Sequence, residues 1–247
     1  MTAAARRLGL VLAAAGLVLA GLVAGSLLAP GSSSPPMAVA RARARIAPRP
    51  AFSPGTSLVA NVRGGRPLLV FRHPGDARPA RAIRARVLLV RARRGAWLRV
   101  LLPVRPNGSA GWIRADRVDL RTDPYRIDVA LRAHRLVVRR GRRVVLRTPI
   151  GVGRSGTPTP RGLAYVTSLL RQPDPHGIYG PWAFGLSVYS PVLTSFGGGP
   201  GEVGIHGTDA PAGIGRDVSH GCIRLPNAAI ERLARMLPLG TPVRIAA

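Results

Sequence analysis

Hydrophobic and polar positions along this chain of 247 residues change character three times. From Leu8 to Ala29 the positions are apolar, broken only by glycines and Ser26, and Arg6 and Arg7 stand before them. The run has about the 20 residues that a bilayer core requires, and it exceeds the roughly 7–15 apolar residues of a cleaved secretory signal. Residues 1–29 therefore read as an N-terminal membrane anchor or signal. Uncleaved retention is the favoured form, with the positive end in the cytoplasm. Either form puts the rest of the chain outside the cytoplasm, tethered to the cytoplasmic membrane or released to the wall. Residues 30–55 then lose all apolar period. Ser32-Ser33-Ser34-Pro35-Pro36, the alternating arginines Arg41, Arg43 and Arg45, and Pro48 and Pro50 describe an extended linker.

Short β patterns follow. Ser57–Val62 precedes Gly64-Gly65, Ile83–Val90 alternates in part, and Ala96–Leu102 leads through the turn Pro106-Asn107-Gly108-Ser109 to Gly111-Trp112-Ile113. Apolar and β-branched runs separated by Asn-Gly and Gly-Gly turns predict a small all-β unit over 56–121. Its Trp-Leu-Arg-Val, Asn-Gly-Ser, Gly-Trp-Ile cadence resembles bacterial SH3-like domains. Trp97 and Trp112 read as its core. A second unit, 125–246, opens with alternation over Arg126–Leu131. Leu136–Val138 and Val144–Leu146 flank Gly141 as a hairpin. The stretches 151–162 and 171–181 are rich in Gly and Pro and read as loops. Asn227 reads as a helix N-cap, followed by an apolar stripe at Ile230, Leu233, Ala234 and Leu237, with Pro238 and Gly240 as the stop. Thr241–Ile245 reads as a last strand. The fold class is mainly β, with a small barrel followed by a β-rich domain bearing one short C-terminal helix.

Charge changes the picture only outside the fold. Basic residues number 37 against 10 acidic, all the basic ones are arginine, and the formal net charge is +27. Coding bias in a GC-rich genome accounts for this as well as attraction to a polyanion does. The arginines are spread through every segment, aromatics are only 4%, and no nucleic-acid motif is present, so nucleic acid is not an expected partner. Anionic cell-wall polymers are a possible one.

The candidate chemistry lies in Ser219-His220-Gly221-Cys222-Ile223-Arg224, preceded by Ile205-His206-Gly207-Thr208. Cys222 is the only cysteine in the chain, so no internal disulfide can form. A thiol with an ordinary pKa of about 8.5 needs a base to attack near neutral pH, and histidines stand beside it. His220 lies two positions before Cys222, on the same face of an extended segment, and either it or His206 could serve. Ser219 suits a local hydrogen bond or a substrate contact. The N–H groups of Gly221 and Cys222 are candidate oxyanion donors. Arg224 could grip a substrate carboxylate. His206, His220 and Cys222 could in principle hold zinc, but their spacing lacks the forms typical of such sites, and no metal is expected.

The whole arrangement, a histidine followed at mid-teens spacing by Ser-His-Gly-Cys and an apolar residue, resembles the signature of the L,D-transpeptidase (YkuD-like) catalytic domain. Gly156-Thr157-Pro158-Thr159-Pro160 and Tyr179-Gly180-Pro181 extend the resemblance over about Tyr125–Ala246. It implies Cys222 as nucleophile and His206 as proton donor and acceptor, oriented by the backbone carbonyl of Gly207. Asp209 or Asp217 could compete for that orienting role. It implies a supporting role in the pocket for His220, and substrate contacts from Tyr179, with Trp182 and Tyr189 as further walls. The implied reaction takes a peptidoglycan tetrapeptide stem, releases D-alanine and forms 3→3 crosslinks with a neighbouring stem. It needs no cofactor and is trapped by carbapenem β-lactams. Two alternatives stay open: an L,D-carboxypeptidase using the same acyl-enzyme, or a wall-binding module without catalysis.

Overall fold

The computed structural model describes residues 55–247. The segment expected as an anchor, and all but the end of the expected linker, lie outside the described residues. Among the described residues no helix is long and apolar enough to cross a membrane. Seven strands form an N-terminal lobe: β1 (Ser57–Val62), β2 (Leu68–Val70), β3 (Arg81–Ile83), β4 (Val87–Arg94), β5 (Trp97–Leu101), β6 (Ala110–Arg114) and β7 (Val118–Asp123). Five make an antiparallel sheet in the order β6-β5-β4-β1-β7, and β2 and β3 pair separately. The run expected as one strand, Ile83–Val90, is broken at Arg84–Arg86 and contributes to two strands. Val59, Leu88, Val90, Leu98, Val100 and Ile113 fill this lobe's core. Trp112 is buried but is not a member of that cluster. Trp97 is only half-buried, with Phe71 edge-on at 5.1 Å and Arg114 over its face at 5.4 Å.

The second lobe comprises β8 (Tyr125–Ala130), β9 (Arg135–Arg140), β10 (Arg143–Pro149), β11 (Val152–Gly153), β12 (Gly162–Arg171), β13 (Trp182–Tyr189), β14 (Glu202–His206), β15 (Asp217–Ser219), β16 (Ile223–Arg224), α1 (Asn227–Met236) and β17 (Pro242–Ala246). Eight strands join in the order β10-β9-β8-β17-β12-β13-β14-β16. The β9–β10 hairpin turns at Gly141, whose φ of 59° favours glycine. The last strand sits inside the sheet, parallel to β8 and antiparallel to β12. Ile230 and Leu233 of α1 join Val138, Phe184, Ile205 and Ile223 in one core. Burial of this stripe ties the helix to the sheet at roughly 1.5–3 kcal/mol per large side chain. Asn227 does not cap the helix. Pro226 holds that position, Asn227 is the first helical residue, and its side chain points elsewhere.

All described residues belong to one compact unit, and the lobes interlock within it. Tyr165 of β12 is fully buried in the N-terminal core. Gly240 fits against Val59 and Val87, where an added Cβ would come within 2.4 Å of a Val59 methyl. Arg105 donates to the carbonyls of Ser190, Leu193 and Pro200 at 2.7, 2.9 and 3.1 Å, and so holds both ends of the 190–201 loop. Tyr189, expected as a groove wall, stands at this seam and lines the cleft between the lobes: its hydroxyl donates to Pro103 O, and Asn107 brackets its backbone.

Asp123 is fully buried at the junction and accepts from the Tyr125 N–H at 2.8 Å and the Thr241 hydroxyl at 2.7 Å. Burial pushes its carboxyl pKa up, and these two hydrogen bonds offset part of the rise. A raised folded pKa means that the folded chain keeps a proton which the unfolded chain has released. This group's contribution to stability is therefore greatest below the unfolded value of about 3.9, and falls as pH rises towards the folded value. The amide in D123N titrates nothing and can donate to Thr241 Oγ1, whose own proton can go to Pro238 O, 2.8 Å away. D123N is expected to gain stability relative to the native chain between pH 3 and pH 7, while D123A loses about 1–3 kcal/mol. Denaturant melts at both pH values measure each difference.

Candidate active site

The site is built by a short parallel pairing at the sheet edge. Ile205 pairs with Ile223 and His206 with Arg224. Val203, Ile205, Ile223 and Leu225 all point into the core. Alternation then puts Glu202, Gly204, His206, Cys222 and Arg224 on the opposite face. The register sets Cys222 beside Gly204, whose N–H reaches its Sγ at 3.4 Å. His206 stands two residues further along the same strand.

His206 is 5% exposed, and its Nδ1 lies 2.6 Å from Gly207 O. A carbonyl can only accept, so Nδ1 carries the hydrogen and Nε2 is the bare nitrogen. Burial holds the His206 pKa down at about 4, the nearby Arg224 charge lowers it further, and the Gly207 hydrogen bond opposes both. Burial also pushes the Cys222 thiol up, against the Gly204 N–H and Arg224, which favour the thiolate. Burial therefore favours a thiol and a neutral imidazole over an ion pair in the resting site. Asp217, a possible competitor for orienting His206, is held elsewhere, 2.8 Å from His134 Nε2. Asp209 acts on His206 only through its charge.

The turn before the cysteine is closed by its own side chains. Ser219 Oγ donates to Cys222 O at 2.6 Å and accepts the Gly221 N–H at 3.0 Å. Ser219 is 1% exposed, so it has no surface to offer a substrate. Gly221 cannot be the expected oxyanion donor either, because its N–H is already bonded. Among the described residues the Cys222 N–H has no partner, and it alone of the two expected donors is available. The φ of 122° at Gly221 lets the chain make this turn. The stretch expected as a loop over 151–162 holds the short strand β11, which pairs with β15, and the segment after it supports the turn from behind: the Arg154 N–H and Thr157 hydroxyl donate to Ser219 O at 3.1 and 3.2 Å. His220 is engaged by other partners. Its Nε2 accepts from the Arg154 guanidinium at 2.9 Å, and Phe196 stacks on its ring at 5.5 Å. With that lone pair engaged, His220 is poorly set to act as the base.

On the other side Tyr179 meets the His206 ring edge-to-face at 4.9 Å. Gly180 and Gly207 approach so closely that a Cβ on either would lie 2.4 Å from Asn227 Oδ1. That same oxygen accepts the Thr208 N–H at 2.8 Å. Asn227 therefore ties α1 to the segment following His206. Arg224 is half-buried, and its Nε is buried without a hydrogen-bond partner among the described residues. Trp182 packs against the core cluster. No group of three His, Cys, Asp or Glu residues among the described residues could hold a metal ion. Sequence reasoning missed Arg154, Glu202 and the true role of Asn227. Thr157 lay within the Gly-Thr-Pro-Thr-Pro motif but carried no assigned role.

The family model for the L,D-transpeptidase catalytic domain, YkuD, matches residues 124–245. YkuD of Bacillus subtilis is 36% identical over 151 residues, covering 59% of this chain and 84% of that protein. YkuD of Bacillus licheniformis is 40% identical over 124 residues, covering 50% and 67%. Among solved structures, an L,D-transpeptidase from Mycobacterium smegmatis aligns with 76% of this chain and 99% of its own, at 17% identity and a TM-score of 0.41. With a match of this extent to YkuD of Bacillus subtilis, the chain belongs to the YkuD family of L,D-transpeptidase catalytic domains.

Proposed function

We propose that this protein is a peptidoglycan L,D-transpeptidase in which Cys222 carries the acyl group and His206 moves the proton. One observation carries the reading. Cys222 and a histidine with a bare Nε2 lie on the same outer sheet face, in a turn that leaves the Cys222 N–H unpaired. The Cys222 thiol attacks the carbonyl of the third residue of a tetrapeptide stem as His206 Nε2 takes its proton. The Cys222 N–H receives the developing oxyanion. Collapse breaks the amide bond, and D-alanine leaves with the proton from His206. The amine of a neighbouring stem then attacks the thioester and gives a proton to His206, and the thiol is restored. Tyr179 packs on the working imidazole, and the positive charge of the half-buried Arg224 guanidinium favours the stem's carboxylate groups. Carbapenem β-lactams acylate the same sulfur.

The N-terminal lobe, as an SH3-like unit, holds the enzyme on wall polymer. The apolar run Leu8–Ala29 tethers it to the outer face of the cytoplasmic membrane, and its arginines attract anionic wall material, an effect that added salt weakens. The test is mass analysis of the full-length protein with a disaccharide-tetrapeptide, beside C222A. A crosslinked dimer lacking one D-alanine, absent with C222A, is expected. Monomeric tripeptide alone would identify a carboxypeptidase. Absence of any acyl-enzyme would refute both.

A further inference from the structure

A cleft of about 730 Å³ opens between the lobes on the face of the sheet that carries Cys222. One wall brings Arg66, Arg84 and Arg86 from the N-terminal lobe, and the floor brings Thr167, Ser168 and Glu202 from β12 and β14. Gly185 makes the floor possible: a Cβ there would lie 2.5 Å from Ser168 Oγ and 2.7 Å from Glu202 Oε1. The Thr167 hydroxyl donates to Glu202 Oε1 at 3.0 Å. The chain has 37 arginines, three of them on the opposite wall, yet no arginine pairs with Glu202 among the described residues. Glu202 is exposed to the cleft with the Thr167 hydroxyl as its hydrogen-bond partner, so its charge is open to a cation that enters, and that charge is felt at Cys222.

The spacing fits an amine at the end of a long side chain. Glu202 and Gly204 are two residues apart on one strand, about 7 Å along it, and Gly204 touches Cys222 Sγ. In a diamino acid the terminal nitrogen stands roughly six bonds of about 1.5 Å from the backbone carbonyl carbon, again roughly 7 Å when extended. We propose that this cleft is the subsite for the side chain of the donor stem's third residue, with Glu202 receiving its terminal ammonium group. The inference rests on the transpeptidase reading above. It makes Glu202 a specificity-determining residue. A carboxylate on the same side-chain terminus faces Arg66, Arg84 and Arg86, so the cleft suits a zwitterionic head.

The test isolates the first half-reaction. Full-length protein and E202Q are each given two tetrapeptide stems with diaminopimelate at position three, one free and one acetylated on the side-chain nitrogen. Release of D-alanine and acyl-enzyme mass are followed without an acceptor, and a thermal melt checks each fold. The native protein is expected to favour the free amine by about 10–100-fold in kcat/KM. In E202Q that ratio falls towards one, through loss on the free amine. Equal use of both stems by the native protein would overturn the inference and leave the transpeptidase reading intact. So would a ratio that survives in E202Q, or an effect confined to the acceptor step. Failure of every stem to acylate Cys222 would overturn both.

Discussion

Replacing His206 by glutamine is expected to slow acylation of Cys222 by about 10²–10⁴-fold near neutral pH and to change the shape of its pH dependence. In the native protein the imidazole is already neutral over most of the pH range, because burial holds its pKa at about 4. The thiol remains protonated to high pH, because burial pushes its pKa up. A neutral base facing a neutral thiol gives an acylation rate that falls only as pH drops through about 4 and is level above it. Without that base the rate must follow the small thiolate fraction, so H206Q should gain about tenfold per pH unit until the thiol's raised pKa is reached. Intact-mass time courses with a carbapenem from pH 4 to pH 10 distinguish the two shapes. A native profile like that of H206Q would mean that His206 is not the base. Alkylation with iodoacetamide gives an independent check: a preformed thiolate–imidazolium pair would react rapidly at pH 6, and this resting pair should not.

The residues behind that prediction were legible in the sequence because each belongs to a short contiguous motif. Cys222 and His206 needed no knowledge of the fold to be singled out. The groups around them were not legible, because short polar side chains have several uses. Asn227 directly precedes an apolar stripe, where capping is the usual role, yet its oxygen serves Thr208 across the chain. Ser219 and Gly221 bond each other, which removes one as a substrate contact and the other as an oxyanion donor. The hairpin at Gly141 and the stripe on α1 follow directly from local period. The two longest neighbours in the sheet, β12 and β13, do not. Ala164, Tyr165 and Val166 are buried in succession, since Tyr165 enters one core while Ala164 and Val166 enter the other. A strand covered on both faces loses its alternation and with it the clearest sign of a strand. Glu202 is an ordinary acidic residue until the N-terminal lobe stands opposite it.

Gly207→Ala is expected to damage the site severely. Its Cβ would lie 2.4 Å from Asn227 Oδ1, 3.0 Å from Gly180 Cα and 3.1 Å from Pro181 Cδ. Two of those neighbours are backbone or ring atoms that cannot rotate away, so the Gly207 segment itself must move. Overpacking of this kind costs about 1–3 kcal/mol of stability. The loss in rate is larger, because the Gly207 carbonyl fixes the His206 tautomer and ring position, and a displacement of about 1 Å at such a point can cost about 100-fold. Asn227→Ala removes the closest of the three clashes, but it also removes the acceptor for the Thr208 N–H. The two substitutions therefore share one cause, and their effects cannot add. G207A/N227A should be less impaired than the product of the single changes and still well below the native rate, since Gly180 and Pro181 remain in the way. The double-mutant cycle, read as carbapenem acylation rate and as melting temperature, measures that shared part. Strict additivity in both readouts would show that Asn227 does not bear on the position of Gly207 and His206.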